Sequence, residues 1–100
     1  MRFGLPDEVL PRLLAIVSSN PKVRQVTIYG SRAKGNWRRG SDIDLCLDGE
    51  DLSLQELDEI DARIDDLLLP WKVDITDLQQ IDNPDLIAHI ERVGVRLFPA

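Results

Sequence analysis

Apolar positions along this chain switch repeatedly between a helical and an extended period. Val9, Leu10, Leu13, Leu14 and Val17 recur every three or four residues, the stripe of an amphipathic helix opening near Pro6-Asp7-Glu8, where acids fall in the first turn. Pro11 predicts a kink or a late start there, and Asn20-Pro21 closes the helix. Val23 to Tyr29 then reads as a strand with Val26 and Ile28 on its core side, and a short helix follows Gly30. Asp42 to Asp48 is a second strand, with Ile43, Leu45 and Leu47 on one side of it. Ser53-Leu54-Gln55-Glu56 has the capping-box arrangement, which opens a helix. Its stripe is Leu54, Leu57, Ile60, Ile64, Leu67 and Leu68, and Pro70 ends it. Lys72 to Asp77 is a third strand with Val73 and Ile75 inward, Asn83-Pro84 starts a last helix carrying Leu86, Ile87, Ile90 and Val93, and Gly94 stops it. Val95 to Phe98 is placed to add an edge strand.

Strands alternating with helices predict an α/β fold, a mixed β-sheet with helices packed on one face. At 100 residues the chain is expected to form a single domain over 1–100, with little area for a separate substrate module. No apolar run reaches membrane-span length, and the N-terminus has no long apolar leader. A lone cysteine, Cys46, excludes an intrachain disulfide framework and suits a reducing, cytoplasmic setting. The net charge of −6 argues against broad affinity for a nucleic-acid backbone. Against that acidic background Arg32, Lys34, Arg38 and Arg39 crowd into one loop, a local charge better suited to a triphosphate than to a duplex.

The chemistry lies on either side of that loop. Gly30-Ser31 is followed by ten residues and then Asp42-Ile43-Asp44. In a strand, residues two apart share a face, so Asp42 and Asp44 project together, opposite Ile43 and Leu45. Two carboxylates held close repel unless they share a proton or hold a cation. Hard oxygen ligands beside a glycine turn that can admit phosphate favour Mg²⁺ carrying a nucleoside triphosphate. Gly30 would let the backbone approach the phosphates, and Ser31 would donate to the same oxygens near a helix N-terminus. Arg32 and Lys34 lie near enough in sequence to neutralise phosphate charge.

Other polar and aromatic residues have plainer readings. Trp37 can stack on a base or a partner, or anchor its loop; both remain open. Cys46 reads as a small packed thiol and His89 as a surface or boundary residue. Asp58, Glu59, Asp61, Asp65 and Asp66 make the wet side of a helix.

The Gly30-Ser31, ten-residue, Asp42-x-Asp44 pattern, with Asp74 in Val73-Asp74-Ile75 downstream, resembles the nucleotidyltransferase superfamily that includes DNA polymerase beta. Within it the chain is most similar to the minimal, single-domain nucleotidyltransferases, nearly end to end. The resemblance implies a carboxylate site on the sheet face opposite the helices. It implies two Mg²⁺ ions held by Asp42 and Asp44, with Asp74 ligating the catalytic one and able to help deprotonate the nucleophile. Minimal members are typically paired with an all-helical HEPN protein, often a ribonuclease toxin. The expected activity is then transfer of AMP from ATP to a tyrosine of that partner, making this chain an antitoxin. Two rival expectations stand beside it: a non-catalytic module that neutralises the partner by contact, and transfer to a small molecule. The acceptor, the preferred nucleotide and the oligomeric state are open at this level.

Overall fold

A computed structural model describes residues 1–99. The chain runs α1 (Val9–Val17), β1 (Val23–Tyr29), α2 (Gly30–Lys34), β2 (Ile43–Gly49), α3 (Leu54–Asp65), β3 (Val73–Asp77), α4 (Pro84–Val93) and β4 (Val95–Phe98), with a 3₁₀ turn at Leu78–Gln80. The sheet order is β3-β2-β1-β4. β1 pairs antiparallel with β2 and β4, whereas β2 and β3 run parallel, joined through α3. The mixed sheet expected from the alternation of periods is therefore present.

Most helix limits follow local chemistry. α1 starts late, at Val9, so Pro11 falls in the first turn, where its missing N–H leaves no internal bond broken. The capping box forms: Ser53 Oγ accepts from Glu56 N and Glu56 Oε1 from Ser53 N, both at 3.1 Å. Asn83 Oδ1 caps α4 by accepting from Asp85 N at 2.9 Å. α3 ends at Asp65, ahead of Pro70, and Leu68 turns the chain with φ +54°. Two members of the predicted stripe lie outside the core, since Leu54 is 74% and Leu68 87% exposed. Leu54 sits roughly 100° round the helix from the Ile60–Ile64 line at 3.6 residues per turn, and Leu68 lies beyond the helix end. Gly94 does stop α4, but with ordinary extended backbone. Its need for glycine is spatial, because a Cβ would strike the Ile90 carbonyl and sit 2.6 Å from Thr27 Cγ2.

The strands sort their side chains by parity. Val26, Ile28, Ile43, Leu45 and Leu47 are all fully buried against Leu13, Val17, Ile60 and Ile64 of α1 and α3. The opposite parity, including Tyr29, Cys46, Asp44 and Asp74, lies on the second face. The helices do not all pack on one face, as the sequence pattern led us to expect. α4 lies across part of the second, where Ile90, with Leu86 and Val93 beside it, packs on Tyr29 and Cys46. Its apolar stripe required a partner, and these are the apolar residues that the second face offers. Asp44 and Asp74 lie on that same face.

Candidate active site

Parallel register sets Asp44 directly opposite Asp74, and across β1 Asp44 pairs with Tyr29. Asp42 is exposed and immediately precedes β2. Two of the three acids thus stand on paired strands, and the third is at a loop end. Burial is the first cause of a raised Asp44 pKa; the charges of Asp74 and then Asp42 raise it further, against weaker relief from His89 and Lys72. Asp44 thus feels the charge of both Asp74 and Asp42. Among the described residues, no three His, Cys, Asp or Glu side chains form a finished metal cage. The donor set nevertheless fits a hard divalent cation, being all-oxygen, anionic and mutually repelling.

Gly30 ties the turn into α2 to these acids more tightly than spacing alone could reveal. It opens α2 with φ +73°, a left-handed conformation that side chains disfavour. A Cβ on Gly30 would collide with Asp44 Oδ2. The missing side chain is the space that the central carboxylate occupies. Ser31 follows, half-buried, in the first turn of α2, and Lys34 is exposed at its end.

The two cations expected to meet phosphate are placed very differently. Arg32 is 1% exposed. Its Nε and one terminal nitrogen donate to the Ser41 carbonyl at 3.1 and 2.8 Å, and the other terminal nitrogen donates to the Phe3 carbonyl at 2.8 Å. Trp37 and Trp71 flank the guanidinium at 5.8 and 5.7 Å. A side chain so enclosed does not reach a ligand at the surface, which leaves Lys34 as the exposed cation of the expected pair. Trp37 anchors its loop by packing on Gly4, where a Cβ would lie 2.6 Å from the indole ring.

The roles of four neighbours of the acids escaped the sequence reading. Lys72 Nζ lies 3.5 Å from Asp74 Oδ1; being two residues away near a strand start, it could have been found by parity. Tyr29 and Thr76 hydroxyls are hydrogen-bonded at 3.0 Å. His89, read as a boundary residue and half-buried here, stands edge-on to Tyr29, with ring centroids 6.1 Å apart. That last contact depends on α4 crossing the second face, which periodicity does not reveal.

An acid row of this kind beside a positive-φ glycine at a strand-to-helix turn defines a nucleotidyltransferase, and the comparisons with known proteins agree. The family described as Polymerase beta, Nucleotidyltransferase matches residues 12–100, and this chain belongs to it. A Methanocaldococcus jannaschii protein named as a protein adenylyltransferase is 35% identical over 85 residues, covering 84% of this chain and 86% of its own length. A toxin–antitoxin crystal structure with AMP-PNP contains a chain with TM-score 0.73 and 25% identity, covering 96% of this chain and 75% of that one. The tri-AMPylated Shewanella oneidensis HEPN toxin in complex with its MNT antitoxin gives TM-score 0.65 at 21% identity, covering 93% and 69%, a likeness of fold. No helix among the described residues is long and apolar enough to cross a membrane.

Proposed function

We propose that this nucleotidyltransferase is a Mg²⁺-dependent protein adenylyltransferase, moving AMP from ATP to a tyrosine of a HEPN-type toxin partner in the cytoplasm and thereby acting as its antitoxin. The observation that carries this reading is the pairing of Asp44 with Asp74 in register, with the Asp44 carboxylate seated over Gly30. The contact of the acids with the glycine turn supports a metal-nucleotide site there. The adenylyltransferase relative, the toxin–antitoxin neighbour with AMP-PNP and the AMPylated HEPN complex support the acceptor class.

Asp42 and Asp44 would hold two Mg²⁺ ions, and Asp74 one of them. Bound there, the metal would neutralise charge on the entering and leaving oxygens of an in-line displacement at the alpha phosphate. The residues of the chain then divide the remaining work. Gly30 keeps the turn open, Ser31 donates to phosphate oxygens, and Lys34 adds mobile positive charge from solvent. Asp74 would accept the proton of the attacking hydroxyl as pyrophosphate leaves, and Lys72 beside it offers a countercharge. The acids themselves stand where α4 leaves the second face partly uncovered, Asp42 exposed and Asp44 and Asp74 half-buried. An open setting of that kind favours a protein-borne hydroxyl over an enclosed small molecule.

The test is incubation with ATP, Mg²⁺ and the HEPN partner. Each transfer should add one adenylyl mass to a partner tyrosine, and Asp42→Asn should add none. A partner left unmodified, yet inhibited equally by wild type and Asp42→Asn, would establish neutralisation by contact instead.

A further inference from the structure

The acids of the site are held by two unlike means. Asp44 and Asp74 belong to hydrogen-bonded strands, whereas Asp42 lies outside the ladder, at the end of the loop that follows α2. What grips that loop end is Arg32. Two of its nitrogens converge on the carbonyl of Ser41, the residue before Asp42. The third bond reaches Phe3, so the guanidinium ties the loop to the N-terminal turn. The clasp is itself braced. Trp71 stacks on the guanidinium and donates Nε1–H to the Arg39 carbonyl at 3.2 Å, and Ser41 Oγ accepts from Arg38 N at 2.8 Å.

Burying a guanidinium is costly, and an apolar side chain of similar volume often serves stability as well or better. Among the described residues no carboxylate is ion-paired with it; three carbonyl bonds and two indole faces offset the lost hydration. A residue needed only to fill the space between two tryptophans could be Met or Leu. What neither could do is hold a carbonyl in a fixed place. We infer that Arg32 is a positioning residue, whose bidentate grip on Ser41 presents the Asp42 carboxylate to the metal-binding cluster. It is not a phosphate ligand. This assignment rests on the metal-dependent reading of the site and deepens it.

The test compares wild type, Arg32→Met and Arg32→Lys, with Trp71→Phe as a variant that loosens the clasp while keeping the cation. In metal-free protein, hydrogen exchange should quicken at the Ser41 and Ile43 amides, which bond to Arg38 and Lys72 carbonyls, but not at Leu45 in the core. Mn²⁺ affinity, read by electron paramagnetic resonance with a non-hydrolysable triphosphate present, should fall by about tenfold or more in Arg32→Met, the usual loss when a ligand's support is removed. Arg32→Lys, able to reach one carbonyl, should lie between. Triphosphate affinity without metal should stay at the wild-type level. Wild-type exchange at Ser41 and Ile43 in both Arg32→Met and Trp71→Phe would overturn the assignment. So would lost metal-free triphosphate binding with Mn²⁺ affinity retained, since that marks a phosphate contact. If Arg32→Met does not fold, Arg32→Lys and Trp71→Phe are read by the same criteria. If wild type itself binds no Mn²⁺, the metal-dependent reading fails, while the exchange measurement still decides whether Arg32 holds the loop.

Discussion

The sheet presents two faces built from alternate residues of the same strands. Toward α1 and α3, Val26, Ile28, Ile43, Leu45 and Leu47 are sealed from water. On the other side, cover is partial. α4 buries Tyr29 and Cys46, and the Cys46 thiol is pushed up to about 11, first by burial and then by the charges of Asp48 and Asp77. Asp44, two residues before Cys46 on the same strand and the same face, is only half-buried. What differs is the apolar cover: Ile90 of α4, together with Leu78 and Ile81 beyond β3, closes over the Tyr29–Cys46 cluster, and Asp44 stays half-buried beside it. An ionised acid in mid-strand is tolerable where solvent or a cation can meet it and costly where apolar side chains seal it.

The sharpest way to break the comparison is one substitution on each face. Leu45→Ala should cost about 2–5 kcal/mol of unfolding free energy, the range for truncating a buried leucine. Asp44→Asn, its immediate neighbour, should abolish transfer while metal-free stability holds or rises, because one repelling charge has gone. Denaturant unfolding of both variants checks this; marked destabilisation of Asp44→Asn would mean that the second face is structural after all.

Gly30→Val should damage both properties together. Its left-handed backbone would cost about 1–2 kcal/mol with a side chain, and the new Cβ would displace the Asp44 carboxylate. Calorimetry with a metal-free triphosphate should also show weakened binding, and unchanged stability together with unchanged binding would remove Gly30 from the site.

A smaller effect follows from the raised pKa of Asp44. A carboxyl whose folded pKa exceeds its unfolded value contributes stability that is fully present below the unfolded pKa and lost as pH rises through the folded one. Metal-free melting temperature should therefore drop as pH rises past the ordinary carboxylate range, and Asp44→Asn should remove that component. A Mg²⁺ titration of wild type should restore the loss, because the cation answers the same repulsion.

The smallest expected effect lies far from the site and has the opposite sign. Glu56 is held down to about 2 from the ordinary 4.5, first by its bond to Lys22 and then by Asn20. Its contribution is present above the ordinary glutamate pKa and is lost as pH falls toward about 2. Acid melts of Glu56→Gln should lack that decline, and an identical acid limb in both proteins would show that the exposed cluster contributes nothing.

Local chemistry made much of this legible without a structure. β1 was readable to the residue, because Val23 and Tyr29 bound a β-branched, part-apolar segment between a proline turn and a glycine. The Ser53–Glu56 box and the Asn83–Pro84 start were equally readable, since a cap is satisfied within four residues of chain. Strand parity set Asp44 opposite in direction to Ile43 and Leu45, whereas Asp42, read as part of the same strand, stands just before it. Tertiary contact decided the rest. The crossing of the second face by α4 came from apolar stripes finding each other over long sequence separations, and it brought His89 to Tyr29. The fate of Arg32 depended on Ser41 across its own loop and on Phe3 and Trp71, which fold against it from distant parts of the chain. Spacing can say that a cation is near a phosphate turn; only packing determines whether its donors are already taken.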